Sequence, residues 1–96
     1  MNDFADIDLQ RLEELSAALL PASEIAILLD LDAEQQLAFV DVCKNHTASP
    51  VYHAYQKGRL TTKFELRKTV IKLAKAGSPA AEPLADKYLK DQKLDK

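Results

Sequence analysis

The most constraining feature of this sequence is a long segment, residues 49–77, with a helix start signal at one end and a stop signal at the other. Ser49 can accept hydrogen bonds from the first free backbone N–H groups as the N-cap, and Pro50 suits the first helical position. Gly77 can adopt the left-handed conformation that ends a helix. The segment therefore predicts one long helix, with a break at Gly58 as the alternative because glycine weakens a helix interior.

This predicted helix carries apolar and basic residues in large numbers. On a helical wheel of about 100° per residue, its apolar residues cover about half the circumference, which is wider than one partner helix requires. We therefore expect one edge to pack on the first part of the chain and the other on the last helix or on another subunit. The expected oligomer interface comprises Arg59, Leu60, Lys63, Phe64, Arg67 and Ile71, and a lysine stripe comprises Lys57, Lys68, Lys72 and Lys75.

The charges of the chain are segregated. Residues 1–43 contain ten acidic residues and one basic residue, whereas residues 44–96 contain twelve basic and five acidic residues, so the net charge of −2 hides two opposite halves. Such segregation favours an acidic half that faces the basic half of a neighbouring subunit, or a basic surface that meets nucleic acid. Two differently charged solvated faces without a partner are the third interpretation.

The acidic half predicts short amphipathic helices. Apolar residues between Ile7 and Leu20 recur at helical spacing and predict a first helix that begins near Asp6 or Asp8. This helix must end near Leu20, because Pro21 disfavours a helical conformation in the residue before it. A short second helix is expected from Pro21 onward.

Residues 21–37 look like a helix-turn-helix. The Glu-Ile-Ala triplet at 24–26 matches the first helix of such motifs, a short turn follows at 30–32, and a second helix is expected from residue 33. Asp32 with Gln35 three positions later predicts a capping box at the start of that second helix. The small alanine of the triplet lets the two helices cross closely.

The exposed first turns of the second helix leave two functions open. In motifs that read DNA, these turns carry basic or amide side chains aimed at base edges and phosphates. Here the carboxylates of Asp32, Glu34 and Asp41 oppose phosphate contact and favour the alternative, a protein–protein interaction adaptor on the same scaffold. The residues expected to bind nucleic acid are Gln35, Gln36, Lys44, Lys57, Lys68, Lys72 and Lys75.

Other functions have little support in the sequence. Cys43 and His46 are spaced like zinc ligands near His53, but no credible fourth ligand accompanies them, and we expect neither metal nor cofactor. There is no Gly-rich phosphate loop and no nucleophile with a plausible base, so no enzymatic activity is expected. The longest apolar run, residues 25–29, is too short to span a bilayer, and the first residues are acidic rather than basic. With a single cysteine, this pattern predicts a cytoplasmic protein.

The motif order of the second half extends the resemblance. Ala54-Tyr55 is followed by Gly58-Arg59, then by basic residues, and then by Ala74-x-x-Gly77-Ser78-x-x-Ala81. This order is similar to that of the small terminase subunits of tailed phages and related helix-turn-helix proteins. The resemblance implies a non-enzymatic factor that recognises double-stranded DNA, assembles as a homo-oligomer and passes viral DNA to a motor subunit in the host cytoplasm. Transcriptional control is the alternative role for such a reader.

The sequence thus predicts an all-α fold, a small helical bundle in a single domain of residues 1–96. An acidic helix-turn-helix part, 1–46, precedes the long basic helix, 49–77, and a C-terminal helix with its tail, 78–93. The last helix is expected to restart at Pro83, which lies too deep for the first turn that Ser78-Pro79 would begin. Residues 91–96 are expected to be a frayed tail.

Overall fold

The structure, a computed structural model, describes residues 4–94 of the chain. Every regular element in this range is helical, which confirms the all-α prediction. The chain divides into two compact units, residues 1–62 and 63–96, whose boundary lies inside the fourth helix. The helices are α1 (Leu9–Ala17), α2 (Ala22–Leu28), α3 (Ala33–Asn45), α4 (Pro50–Lys75) and α5 (Glu82–Leu94).

Helix α1 begins as predicted and ends early. The Asp8 carboxylate accepts hydrogen bonds from the backbone N–H groups of Gln10 and Arg11 at 3.0 and 3.1 Å, as an N-cap does. The helix ends at Ala17, three residues before the predicted end, and Leu19 adopts a left-handed conformation with φ of 66°. The apolar periodicity continues to Leu20, so periodicity alone overestimated the length of the helix.

Helices α2 and α3 form the expected helix-turn-helix. Asp30 has φ of 62°, and the N–H of Leu31 donates to the carbonyl of Ala26 at 3.2 Å, which together close the end of α2. The capping box at the start of α3 is confirmed: Asp32 Oδ1 accepts from the Gln35 N–H at 2.8 Å, and Gln35 Oε1 accepts from the Asp32 N–H at 3.1 Å.

One hydrophobic core holds the first unit together. Leu12 of α1, Ile25 of α2 and Phe39 of α3 are fully buried, and each contributes roughly 1.5–3 kcal/mol by leaving water. Phe4 packs edge-on against the Phe39 ring, with centroids 5.8 Å apart. Cys43 is also fully buried in this cluster.

Helix α4 is continuous from Pro50 to Lys75, so the alternative of a break at Gly58 is wrong. Ser49 Oγ accepts from the Val51 N–H at 3.1 Å and caps the start. At the far end Gly77 has φ of 93°, and the N–H of Ser78 donates to the carbonyl of Leu73 at 3.0 Å. Local start and stop signals therefore predicted both ends of the longest helix.

The second unit consists of the last part of α4 and of α5. Helix α5 begins at Glu82, one residue before Pro83, and continues to Leu94. The prediction of a frayed tail from residue 91 is therefore wrong for residues 91–94, whereas residues 95–96 lie outside the described range. Arg67 of α4 stacks over the Tyr88 ring at 4.1 Å from its centroid and pairs with Asp91 at 3.6 Å. These contacts join the two helices.

Candidate functional site

Several motif residues of α4 hold the first unit together. Ser16 of α1 is fully buried, and its Oγ donates to the carbonyl of Tyr55 at 2.5 Å. The Arg59 guanidinium donates to the carbonyls of Leu20 at 2.6 Å and Ser16 at 3.3 Å, and Thr62 Oγ1 donates to the carbonyl of Ala17. Backbone carbonyls at the end of α1 therefore accept hydrogen bonds from side chains of α4. The sequence analysis did not predict these hydrogen bonds.

Arg59 therefore has partners within its own chain. Its guanidinium also stacks over the Tyr55 ring, 4.4 Å from the centroid, and the residue is half-buried. The assignment of Arg59 to an oligomer interface stays a prediction, while the structure adds this intramolecular role. The signal in the sequence was the spacing of Tyr55, Gly58 and Arg59, which follows one face of a helix that packs on another.

The two glutamines expected to contact DNA already make hydrogen bonds within the first unit. Gln35 Oε1 belongs to the capping box, and Gln36 Nε2 donates to the carbonyl of Leu31 at 2.9 Å. Both side chains are half-buried. The hydrogen bond to Leu31 fixes the position of the Gln36 amide and uses one of its two N–H donors. The role of both residues in DNA recognition stays a prediction. Lys44 is exposed in the last turn of α3.

A different surface of α3 is open. Glu34, Leu37, Ala38 and Asp41 are all exposed and lie at helical spacing on one side, and we call them the α3 face. Leu37 is 78% exposed, more than any of the other large apolar residues on the surface of the described chain. Because the exposed leucine lies between two carboxylates, this face is unsuited to contact DNA phosphates and suited to contact an apolar group of a protein partner.

Asp41 is held in place at one end of the α3 face. Its Oδ1 accepts from Asn45 Nδ2 at 2.7 Å, and its Oδ2 lies 2.8 Å from His46 Nε2. The hydrogen bonds from Asn45 and His46 lower the pKa of Asp41 below its ordinary value, so the carboxylate stays ionised. A surface groove of about 750 Å³ runs beside it and is lined by Ala38, Asp41, His46 and Pro50 among others.

The lysine stripe is exposed to solvent. Lys68, Lys72 and Lys75 belong to the second unit, and none of the three is buried. Lys68 Nζ lies 5.5 Å from the Phe64 ring centroid, which places a cation beside an exposed aromatic ring. Lys57 belongs to the first unit, and its Nζ is 3.9 Å from a Glu13 carboxylate oxygen, a weak contact between exposed groups.

The apolar residues expected at an oligomer interface are exposed as well. Leu60 is 56% exposed in the first unit, and Phe64 and Ile71 are 61% and 39% exposed in the second. Lys63 is exposed, whereas Arg67 is half-buried by its contacts with α5. The second unit also exposes four leucines outside the predicted interface: Leu66, Leu73, Leu84 and Leu89.

The described residues offer no arrangement for metal binding. No group of three His, Cys, Asp or Glu side chains among residues 4–94 could hold an ion. Burial raises the pKa of the Cys43 thiol to about 12, so the group is a neutral thiol at neutral pH. No described helix is both long and apolar enough to cross a membrane.

Comparisons with known proteins add no family to this description. No protein-family model, curated protein or solved structure matches the chain.

Proposed function

We propose that this chain is a non-enzymatic DNA-binding protein of the helix-turn-helix class, in which the lysine stripe of α4 supplies the main phosphate contacts. The observation on which this proposal rests is the exposure of Lys68, Lys72 and Lys75 at spacings of four and three residues on one helix face. These positions span about 10 Å along the helix, so all three ammonium groups can reach one stretch of sugar-phosphate backbone.

The charge of α4 supports this proposal. The helix carries seven basic residues and a single acidic one, Glu65. Each phosphate that a lysine neutralises releases a condensed counterion, and this release supplies most sequence-independent affinity for DNA. The α3 face, by contrast, carries Glu34 and Asp41, which disfavour approach to the duplex. In this proposal the helix-turn-helix serves as a scaffold, and α4 contacts the DNA.

Assembly would strengthen such binding. Three lysines per copy give weak attachment, whereas several linked copies bind one duplex at a high effective concentration. The proposal therefore includes a homo-oligomer, supported by the exposed apolar residues Phe64 and Ile71 beside the stripe. A role in phage DNA packaging, with delivery of DNA to a motor subunit, is the part of the proposal that comes from the motif order.

The test is fluorescence anisotropy with a labelled duplex across a salt series. At about 50 mM salt the double variant Lys68→Glu with Lys72→Glu is expected to bind at least about tenfold more weakly than the wild type, and its slope of log affinity against log salt should be smaller by about 1.8. The matched control is Lys87→Glu with Lys90→Glu, which makes the same charge change on exposed residues of α5. Absence of wild-type binding, or equal losses in both variants, would contradict the proposal.

A second candidate function is favoured by the α3 face. An exposed leucine flanked by two carboxylates suits a partner helix that carries apolar and basic residues. In this case the chain is a protein–protein interaction adaptor, and Leu37→Ala should weaken capture of the partner while Ile27→Ala, at another exposed apolar position, should not. Tight, salt-dependent binding of DNA by a stable monomer would argue against this candidate.

A further inference from the structure

The α3 face has an exposed leucine at its centre, and all four of its residues are exposed in the part of the chain that the structure describes. Leu37 lies between Glu34, three residues before it, and Asp41, four residues after it. At 1.5 Å per residue the two carboxylates are about 10.5 Å apart along the helix, with the leucine between them. Because Asp41 is already held by Asn45 and His46, little side-chain freedom is lost when a partner binds it.

The second unit of the same chain carries the complementary pattern. Ile71 lies three residues after Lys68 and four residues before Lys75, and all three are exposed on one face of α4. Lys68 and Lys75 are again about 10.5 Å apart along the helix. Ile71 follows Lys68 by three residues, just as Leu37 follows Glu34 by three residues. Each carboxylate of the first pattern therefore has a lysine at the matching position of the second, and each pattern has an exposed aliphatic residue in the middle.

We propose that the α3 face of one copy docks residues 64–75 of a second copy, which we call the basic segment. The argument for a second copy is charge complementarity in register: Glu34 meets Lys68, Leu37 meets Ile71, and Asp41 meets Lys75. This inference goes beyond DNA binding and does not depend on it. Burial of the aliphatic pair supplies the apolar contribution, and the lysine stems cover apolar surface while their ammonium groups remain near water.

The proposed contact joins two different surfaces, so it does not close on itself in a dimer. Each copy keeps one free α3 face and one free basic segment, and further copies can add in the same direction. Such a heterologous contact produces a ring when the rotation between copies closes and a filament when it does not. The contact covers Lys68 and Lys75 of the stripe, so it is an alternative to the DNA-bound assembly of the proposed function and not a part of it: a copy engaged in this contact offers only Lys72 of the three lysines to DNA.

The experiment uses complementary charge reversal, with self-association measured by sedimentation velocity in the absence of DNA. One variant, Lys68→Glu with Lys75→Glu, makes the basic segment acidic. The other variant, Glu34→Lys with Asp41→Lys, makes the α3 face basic. Each variant alone brings like charges together in its own contact and is expected to associate at least about tenfold more weakly than the wild type. An equimolar mixture restores association, because each variant then meets opposite charges in the other.

The matched control is Glu14→Lys with Glu24→Lys, which changes the same amount of charge at exposed positions away from the α3 face and should associate like the wild type. Leu37→Ala should weaken association, while the control Ile27→Ala should not. A monomeric wild type would overturn the inference. So would a mixture that stays monomeric, or an oligomer indifferent to both charge reversals, which would indicate a purely apolar contact. Because no DNA is present, a failure of the DNA-binding proposal leaves this readout unchanged.

Discussion

Gly58 of α4 lies so close to Ser16 of α1 that a β-carbon at position 58 would be 2.8 Å from the Ser16 Cβ. The same β-carbon would be 2.9 Å from the backbone nitrogen of Ala17. A backbone atom, unlike the end of a flexible side chain, cannot move aside to relieve an overlap at this distance. The glycine is therefore required by the close crossing of two helices, and the buried hydrogen bond from Ser16 to Tyr55 lies at the same crossing.

Gly58→Ala should destabilise the protein in spite of the better helix propensity of alanine. The substitution gains about 1 kcal/mol in propensity, but the overlap with α1 forces the helices apart, and overpacking typically costs about 1–3 kcal/mol or more. Two of the atoms in the way belong to the backbone, so we expect a cost in the upper part of this range, about 2–3 kcal/mol, and a net loss of about 1–2 kcal/mol in the free energy of unfolding. The measurement is urea denaturation followed by circular dichroism. Lys57→Ala, at the exposed neighbouring position, is the control, and an unchanged midpoint for Gly58→Ala would refute the close contact.

Arg59→Met should also destabilise the first unit. Methionine keeps much of the stem but removes the donors that satisfy the carbonyls of Leu20 and Ser16, and hydrogen bonds from a charged donor contribute about 1.5–3 kcal/mol. The expected loss in unfolding free energy is about 2 kcal/mol. Lys63→Met is the control because that residue is exposed. Equal stability of the two variants would show that Arg59 does not cap α1.

Leu19→Gly should be more stable than Leu19→Ala. Leu19 has φ of 66° and is 51% exposed, so both substitutions lose about the same half-buried side chain, and glycine alone also removes a left-handed penalty of about 1–2 kcal/mol. Part of this gain is lost to the greater entropy of glycine in the unfolded chain, which leaves a net gain of about 0.5–1 kcal/mol. The control is Ala18→Gly, where φ is −77° and no gain is expected. The measurement is the thermal midpoint, and a midpoint for Leu19→Gly at or below that of Leu19→Ala would contradict the left-handed conformation of residue 19.

Cys43 should make stability depend on pH on the alkaline side. Burial raises the thiol pKa from its ordinary value of 9.0 to about 12 in the folded protein. The unfolded chain therefore loses its thiol proton first, and this contribution to stability is present below about pH 9 and is lost as pH rises from 9 towards 12. Unfolding free energies measured across this range should fall less steeply for Cys43→Ala than for the wild type. Parallel slopes for the two proteins would contradict the shift.

The start of α3 shows how much local sequence can predict. Asp32 and Gln35 were expected to form a capping box, and they do, because both partners lie within one helical turn of each other. Asp30 likewise adopts the left-handed turn conformation that its short polar side chain tolerates. The end of α1 could not be predicted in this way, because its carbonyls find donors on Arg59 and Thr62, far along the chain.

The residues of the candidate site also divide into those whose environment the local sequence predicted and those whose environment depends on the folded structure. The exposure of Lys68, Lys72 and Lys75 was expected from their spacing, whereas the internal hydrogen bonds of Gln35 and Gln36 were not. The signal for Gln35 was present, since its capping role was predicted, and that role already assigns its amide oxygen. For Gln36 the partner is the carbonyl of Leu31, and only the folded turn brings that carbonyl within reach.

The sequence by itself determined the helical class, the two ends of α4 and the helix-turn-helix, because capping, turn conformation and periodicity depend on residues near one another. Only the tertiary structure decided why Gly58 lies within an unbroken helix, which carbonyls Arg59 caps, and that Leu37 is left exposed. Those properties depend on which distant segment covers a given face. Whether a residue is buried depends on which other helix packs against it, and the sequence of one helix alone does not determine that.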